Sequence, residues 1–117
     1  MSPGPEVSPG PGDIKIESQA QDRFYNTDLD KVLKAKGIST LILTGWKVSG
    51  SVTYTSVGAT LRGYTVVVPI DATLDATEYE IVIGQFQILN QNSSNAANEP
   101  LKTRASTLSR TDLITFK

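Results

Sequence analysis

The sequence predicts an α/β domain with a largely parallel sheet, and three observations carry that reading. Apolar runs of strand length at 38–44 and 64–70 alternate with segments of helical spacing at 28–36 and 78–89. Val66, Val67 and Val68 are consecutive, the pattern of a strand covered on both faces. Residues 49–63 separate the two apolar runs, and a crossover between parallel strands needs about a dozen residues.

The elements follow in chain order. Residues 1–13, MSPGPEVSPGPGD, are rich in Pro and Gly without an apolar period and read as an arm or loop, with the domain assigned to 14–117. Residues 14–17 alternate apolar and polar and suggest a short edge strand. Thr27 is an N-cap candidate with Asp30 three positions on. Leu29, Val32 and Leu33 share a face, and Gly37 supplies a stop, which predicts a helix over 28–36. Strand 38–44 comes next.

Segment 51–62 contains Val52, Thr53, Thr55, Val57 and Thr60, and local propensity alone scores it as strand. After strand 64–70, Thr77 and Glu80 have capping-box spacing. They open a helix at 78–89 in which Tyr79, Val82, Ile83, Phe86 and Leu89 fall on one face. Residues 91–100 form a polar loop, 106–108 a last short strand, and 110–116 a terminal turn or helix.

At 117 residues the chain suits one domain, and a domain of this size buries roughly 65% of its unfolded surface. A net charge of −1 with no long run of one sign leaves no electrostatic footprint for nucleic acid or an anionic membrane. The apolar runs fall far short of the ~20 residues of a spanning helix, so a soluble, cytoplasmic protein is expected. The chain has no cysteine and no histidine, which removes disulfides, thiolate chemistry, Ser-His-Asp triads and typical zinc sites. No metal or cofactor is expected.

The remaining local patterns have plain readings. Asn92-Ser93-Ser94 fits a glycosylation sequon but reads as part of a polar loop, and 58–63 lacks the Gly-Lys-Ser/Thr ending of a phosphate loop. Asp71, Asp75, Glu78 and Glu80 read as acids gathered at a helix N-terminus.

The segment Thr44-Gly45-Trp46-Lys47-Val48-Ser49-Gly50-Ser51-Val52, with Gly63-Tyr64 a helix-length later, closely resembles the nucleophile segment of isochorismatase-like cysteine hydrolases. Ser51 stands where that family usually carries cysteine. Pro11-Gly12-Asp13, Phe24-Tyr25-Asn26-Thr27-Asp28-Leu29, Asp71-Ala72 and Leu108-Ser109-Arg110-Thr111-Asp112-Leu113-Ile114 are similar to further parts of the same family, so the resemblance covers nearly the whole chain. It implies a three-layer α/β/α fold of Rossmann-like topology and places a helix over 51–62, against local propensity. It also implies that the family's first strands, including an aspartate-bearing one, have no counterpart. The chain then reads as truncated, as a fragment, or as completed by another subunit.

The resemblance also implies what chemistry to look for. The family uses a cysteine thiolate, an aspartate base, a lysine, and an oxyanion hole of backbone N–H groups. Here the nucleophile position is Ser51, a vestigial or helix-capping serine, a working nucleophile or an engineered replacement of cysteine. The lysine position is Ser18, or Gln19 in the neighbouring register, and neither is a cation. Lys15 reads as a surface lysine, and Asp13 and Asp22 as local caps. A cis peptide of the family maps onto Trp46–Lys47 and directs the Lys47 N–H, with that of Ser51, at the oxyanion hole. Trp46 either lines a pocket or covers the core.

The resulting expectation is an isochorismatase-like hydrolase family protein that is inactive as the isolated chain, a pseudoenzyme. One alternative is a hydrolase of amide or vinyl-ether bonds when a longer chain or partner subunit completes it. Another is a small-molecule or protein binding module. Expected partners are a small carboxylate or amide and a second copy or related subunit, because the missing strands leave the edge at 38–44 bare.

Overall fold

Three parallel strands form the central sheet of the computed structural model, which describes residues 8–90 and 106–116. Residues 1–7 of the arm and the 91–100 loop with its sequon lie outside the described residues. The described elements run α1 (Leu29–Ala35), β1 (Thr40–Ile42), β2 (Gly45–Trp46), α2 (Thr53–Leu61), β3 (Thr65–Pro69), β4 (Thr73–Leu74), α3 (Glu78–Asn90) and β5 (Ser106–Ser109). The sheet order is β1-β3-β5, with Leu41 beside Val66 and Val66 beside Ser106, while β2 and β4 form a separate two-residue parallel ladder. The α/β class and parallel sheet are as the sequence predicts.

Val66 and Val68 are fully buried, and α2 and α3 pack against β3 and β5. Val67, on the opposite face, is only half-buried. With Thr40, Ile42, Thr107 and residues 113–116 it lines an open groove of ≈ 680 Å³. The core is completed by Phe24, Val48, Val52, Ala59, Tyr64 and Ile88. Phe24 stacks on Tyr64 at 5.7 Å, with Arg62 over the Phe24 ring and Lys34 over the Tyr64 ring. No described helix is long and apolar enough to cross a membrane.

Gly37 acts as the predicted stop, and Gly63 acts likewise at the end of the helix that the family resemblance places over 51–62. Gly37 and Gly63 have φ of 68° and 90°, a region glycine enters without penalty. In each, the next amide closes a Schellman turn: Ile38 N–H donates to the Leu33 carbonyl and Tyr64 N–H to the Ala59 carbonyl, both at 3.1 Å. The start of α1 shifts the predicted cap by one residue. Asp28 occupies the cap without a side-chain bond, while the Thr27 hydroxyl accepts the Leu29 amide at 3.4 Å and donates to the Arg23 carbonyl at 2.7 Å. Asp30 accepts the Tyr64 hydroxyl at 2.7 Å, and burial together with this acidic neighbour pushes the phenol up to about 12.

Helix α2 forms despite its Val/Thr composition because its polar groups are bonded and its inward residues are small. The Thr53, Thr55 and Thr60 hydroxyls donate to backbone carbonyls, Ser56 meets Ser106 at 3.0 Å, and Gly58 and Ala59 let the helix approach closely. A Cβ at Gly58 would stand 2.5 Å from Asp22 Oδ1, so a larger residue there would have to displace that carboxylate.

Two expectations are corrected, and the terminal turn is found. Residues 14–17 form no strand: no neighbouring strand among the described residues offers them a ladder, and Ile14 is 54% exposed. The predicted apolar face of α3 points the wrong way, because Tyr79, Val82 and Phe86 are exposed while Ile81, Gly84 and Ile88 turn inward. Gly84 decides this rotation: a Cβ there would lie 2.7 Å from Ser49 N and from Val48 C, so only a glycine face can seat against that backbone. The end of the chain forms one 3₁₀ turn at Thr111–Leu113. Asp71 anchors it by accepting the Thr111 amide at 2.9 Å and the Thr111 hydroxyl, bonds that hold its carboxylate below the ordinary range.

Candidate functional site

The chain leaves β1, passes through β2 and winds one π turn at Val48–Val52 before α2 begins. The Lys47 carbonyl accepts the Gly50 amide at 3.0 Å and the Val52 amide, five residues on, at 3.3 Å. The Thr53 hydroxyl donates to the Val48 carbonyl. The peptide between Trp46 and Lys47 is cis, at the position the family resemblance gives. This winding sets Ser51 at the entrance to α2, half-buried, on a cavity of ≈ 290 Å³ that it shares with Trp46, Arg23, Leu29, Leu43 and Thr55. Trp46 is 41% exposed, so it lines the cavity and does not roof the core.

The other sequence-predicted positions do not converge on Ser51. Ser18 and Gln19 line a separate groove of ≈ 730 Å³, and Arg23 borders both spaces. The Ser18 hydroxyl accepts the Ala20 amide at 3.2 Å. Lys15 forms a surface pair with Glu17 at 3.8 Å. Asp13 accepts the Gly10 amide at 2.8 Å and Asp22 the Phe24 amide at 2.9 Å, so both act as local caps. Lys47 does not line the cavity with its side chain; its ammonium lies 3.7 Å from Asp75 and 3.4 Å from Glu80. Among the described residues no carboxylate lines the Ser51 cavity, and no side-chain base is hydrogen-bonded to the Ser51 hydroxyl.

Sequence reasoning missed two residues. Arg23 brings the single formal charge among the described residues of the cavity wall. Its backbone is pinned to α2, with its amide donating to Thr55 Oγ1 at 3.1 Å while that hydroxyl donates to the Gln21 carbonyl. No short-range pattern announces this contact, which joins residues 32 apart. Asp75, read as one more acid near a helix start, is instead a fully buried carboxylate under the 46–52 loop. It accepts the Ser49 amide at 2.8 Å, the Ser49 hydroxyl, and the Ala76 amide at 2.8 Å. Burial by itself raises its affinity for a proton, but these hydrogen bonds and the Lys47 charge outweigh it and hold Asp75 below the usual carboxylate range. The local reading holds in part for Glu80, whose amide donates to the Thr77 hydroxyl at 3.2 Å, one half of a capping box, while its carboxylate accepts that hydroxyl at 3.0 Å.

The parallel α/β domain and the π turn that leads into α2 are the arrangement the family resemblance implies. The chain belongs to the isochorismatase family: the family model for the isochorismatase domain matches residues 3–91. It is 40% identical over 70 residues to the ureidoacrylate amidohydrolase RutB of Methylorubrum extorquens, an alignment covering 60% of this chain and 28% of that protein. Among solved structures it is similar to an isochorismatase-like hydrolase from Alkaliphilus metalliredigens, with TM-score 0.74 and 28% identity, covering 92% of this chain and 52% of that one. It is equally similar to N-carbamoylsarcosine amidase from Thermoplasma acidophilum, with TM-score 0.74 and 27% identity, covering 96% and 56%. The chain thus spans about half of these solved structures and less than a third of the curated relative.

Proposed function

We propose that this isochorismatase-family domain keeps the ligand cavity of an amide-bond hydrolase but does not turn substrate over as the isolated chain. The observation that carries the reading is Ser51: it occupies the nucleophile position on a cavity wall that, among the described residues, supplies neither a carboxylate base nor a lysine. A serine hydroxyl without a base is a poor nucleophile at neutral pH. The similarity to an amidohydrolase and an amidase supports a small amide or ureide as the bound species. Incubating the 117-residue chain with ureidoacrylate, nicotinamide, simple amides and isochorismate should release product no faster than buffer. Hydrolysis that disappears in Ser51→Ala overturns this reading.

A second reading is favoured by the share of relatives the chain spans, 28% of the curated amidohydrolase and about half of the solved structures. In it, a longer polypeptide or a related subunit brings the base and the lysine to Ser51, and the assembly cleaves the C–N or vinyl-ether bond. Activity that appears only on mixing with a related full-length subunit, and is lost with Ser51→Ala in this chain, supports it. Activity unaffected by that substitution sinks it.

A further inference from the structure

Helix α3 is apolar on two faces. Ile81, Gly84 and Ile88 turn inward, while Tyr79, Val82 and Phe86 form an outward stripe that is 62–74% exposed. On α2, Tyr54 and Leu61 are also more than half exposed, with Val57 between them on the same side. The two stripes meet, because Tyr54 and Val57 share a groove of ≈ 330 Å³ with Phe86, Gln87 and Asn90. One residue in five of the chain is charged, yet 53–61 and 81–90 contain no charged residue. A solvated helix face ordinarily carries charge, whereas aromatic side chains without charge make up the centre of an interface.

We propose that the outer face of α2 and α3 is a two-fold interface at which this chain pairs with a second copy of itself. A two-fold contact sets the residues near its axis against their own counterparts, which a charged face resists and a charge-free one allows. The area also suits a copy. Five large exposed side chains, three of them aromatic at about 150–250 Å² each, offer on the order of 500 Å² of apolar surface, the centre that a half-interface of roughly 800 Å² needs. Charge returns only at the ends of the face, with Glu78 and Glu80 opening α3 and Arg62 following α2, which supplies a polar rim. The face shares no residue with the walls of the Ser51 cavity or of the Ile42/Val67 groove, so the pairing is separate from both.

The test is sedimentation velocity over a concentration series. Ile42→Lys removes contacts at the open sheet face and should take any larger assembly down to this dimer. Adding Val82→Lys, at an exposed position the fold does not need, should weaken the dimer about a hundredfold or more, since the substitution enters a two-fold contact twice. The helical circular-dichroism signal should stay as it is. A monomeric Ile42→Lys chain overturns the proposal and leaves the face to a different protein or to another segment of this chain. A dimer indifferent to Val82→Lys overturns it as well.

If Ile42→Lys does not fold, cross-linking in the otherwise unchanged chain decides. The chain has no cysteine, so Val82→Cys carries one thiol. A short bis-maleimide should capture Val82→Cys as a covalent dimer and should leave Lys31→Cys, on the exposed side of α1, as single chains. Equal capture of the two, or capture of neither, overturns the proposal.

Discussion

Replacing Asp75 with alanine should destabilise the domain by about 2–4 kcal/mol, because it strips the acceptor from the Ser49 and Ala76 donors beneath the loop. The structure accounts for that size. Asp75 is fully buried and accepts three hydrogen bonds, from the Ser49 amide, the Ser49 hydroxyl and the Ala76 amide, with the Lys47 ammonium 3.7 Å away. Each buried donor left without an acceptor costs about 1–3 kcal/mol, reduced where water enters the vacated space. Lys47 keeps Glu80, so the charge it loses is partly replaced. Asp75→Asn retains one acceptor oxygen and should cost roughly half as much.

The pH dependence has a definite sign. The folded-state proton affinity of Asp75 is lowered, so its contribution is present above its unfolded value of about 3.9 and is lost as pH falls through the lower folded value. Urea unfolding of wild type and Asp75→Ala at pH 7 and at pH 3 measures both effects, with Trp46 fluorescence reporting the neighbouring loop. The gap should be largest at pH 7 and shrink at pH 3. A cost below about 1 kcal/mol at pH 7, or a gap that stays constant with pH, refutes the argument that this carboxylate secures the loop.

Two further outcomes follow from the packing. Gly84→Ala should destabilise by about 1–2 kcal/mol in urea unfolding. The gain in helix propensity, about 1 kcal/mol, is outweighed by a Cβ 2.7 Å from the backbone of Val48 and Ser49; a variant as stable as wild type would show that α3 is not seated by that contact. The second concerns assembly: β1 is paired on one side only among the described residues and the Ile42/Val67 face is open, so the chain should sediment as a homo-oligomer that Ile42→Lys dissociates. A compact monomer with a cooperative thermal transition refutes it.

The legible and illegible parts of this chain divide by the range of the interactions that determine them. Gly37 and Gly63 end their helices as predicted because a Schellman turn closes within six residues, and the Thr77/Glu80 box forms because its partners lie three apart. Helix α2 was legible only through family resemblance; the bonds that rescue its threonines include Thr55 to Gln21, which no local rule sees. The face of α3 was misread because hydrophobicity points to Tyr79, Val82 and Phe86, whereas a backbone approach at Gly84 sets the rotation. Arg23 and Asp75 were missed for the same reason, since the contacts that pin them, to Thr55 and to Ser49, join residues 32 and 26 apart.

Asp75 also helps explain how the 46–52 loop keeps its shape with a serine at position 51. Asp75 holds the Ser49 amide and hydroxyl, Gly84 brings α3 against the Val48–Ser49 backbone, and the Lys47 carbonyl closes the π turn through Val52. None of these contacts uses the Ser51 side chain. The geometry that presents residue 51 to the cavity is therefore set by packing beneath the loop, and exchanging the group at that position leaves the supporting bonds untouched. A chain built this way can lose bond-breaking chemistry while retaining a shaped cavity.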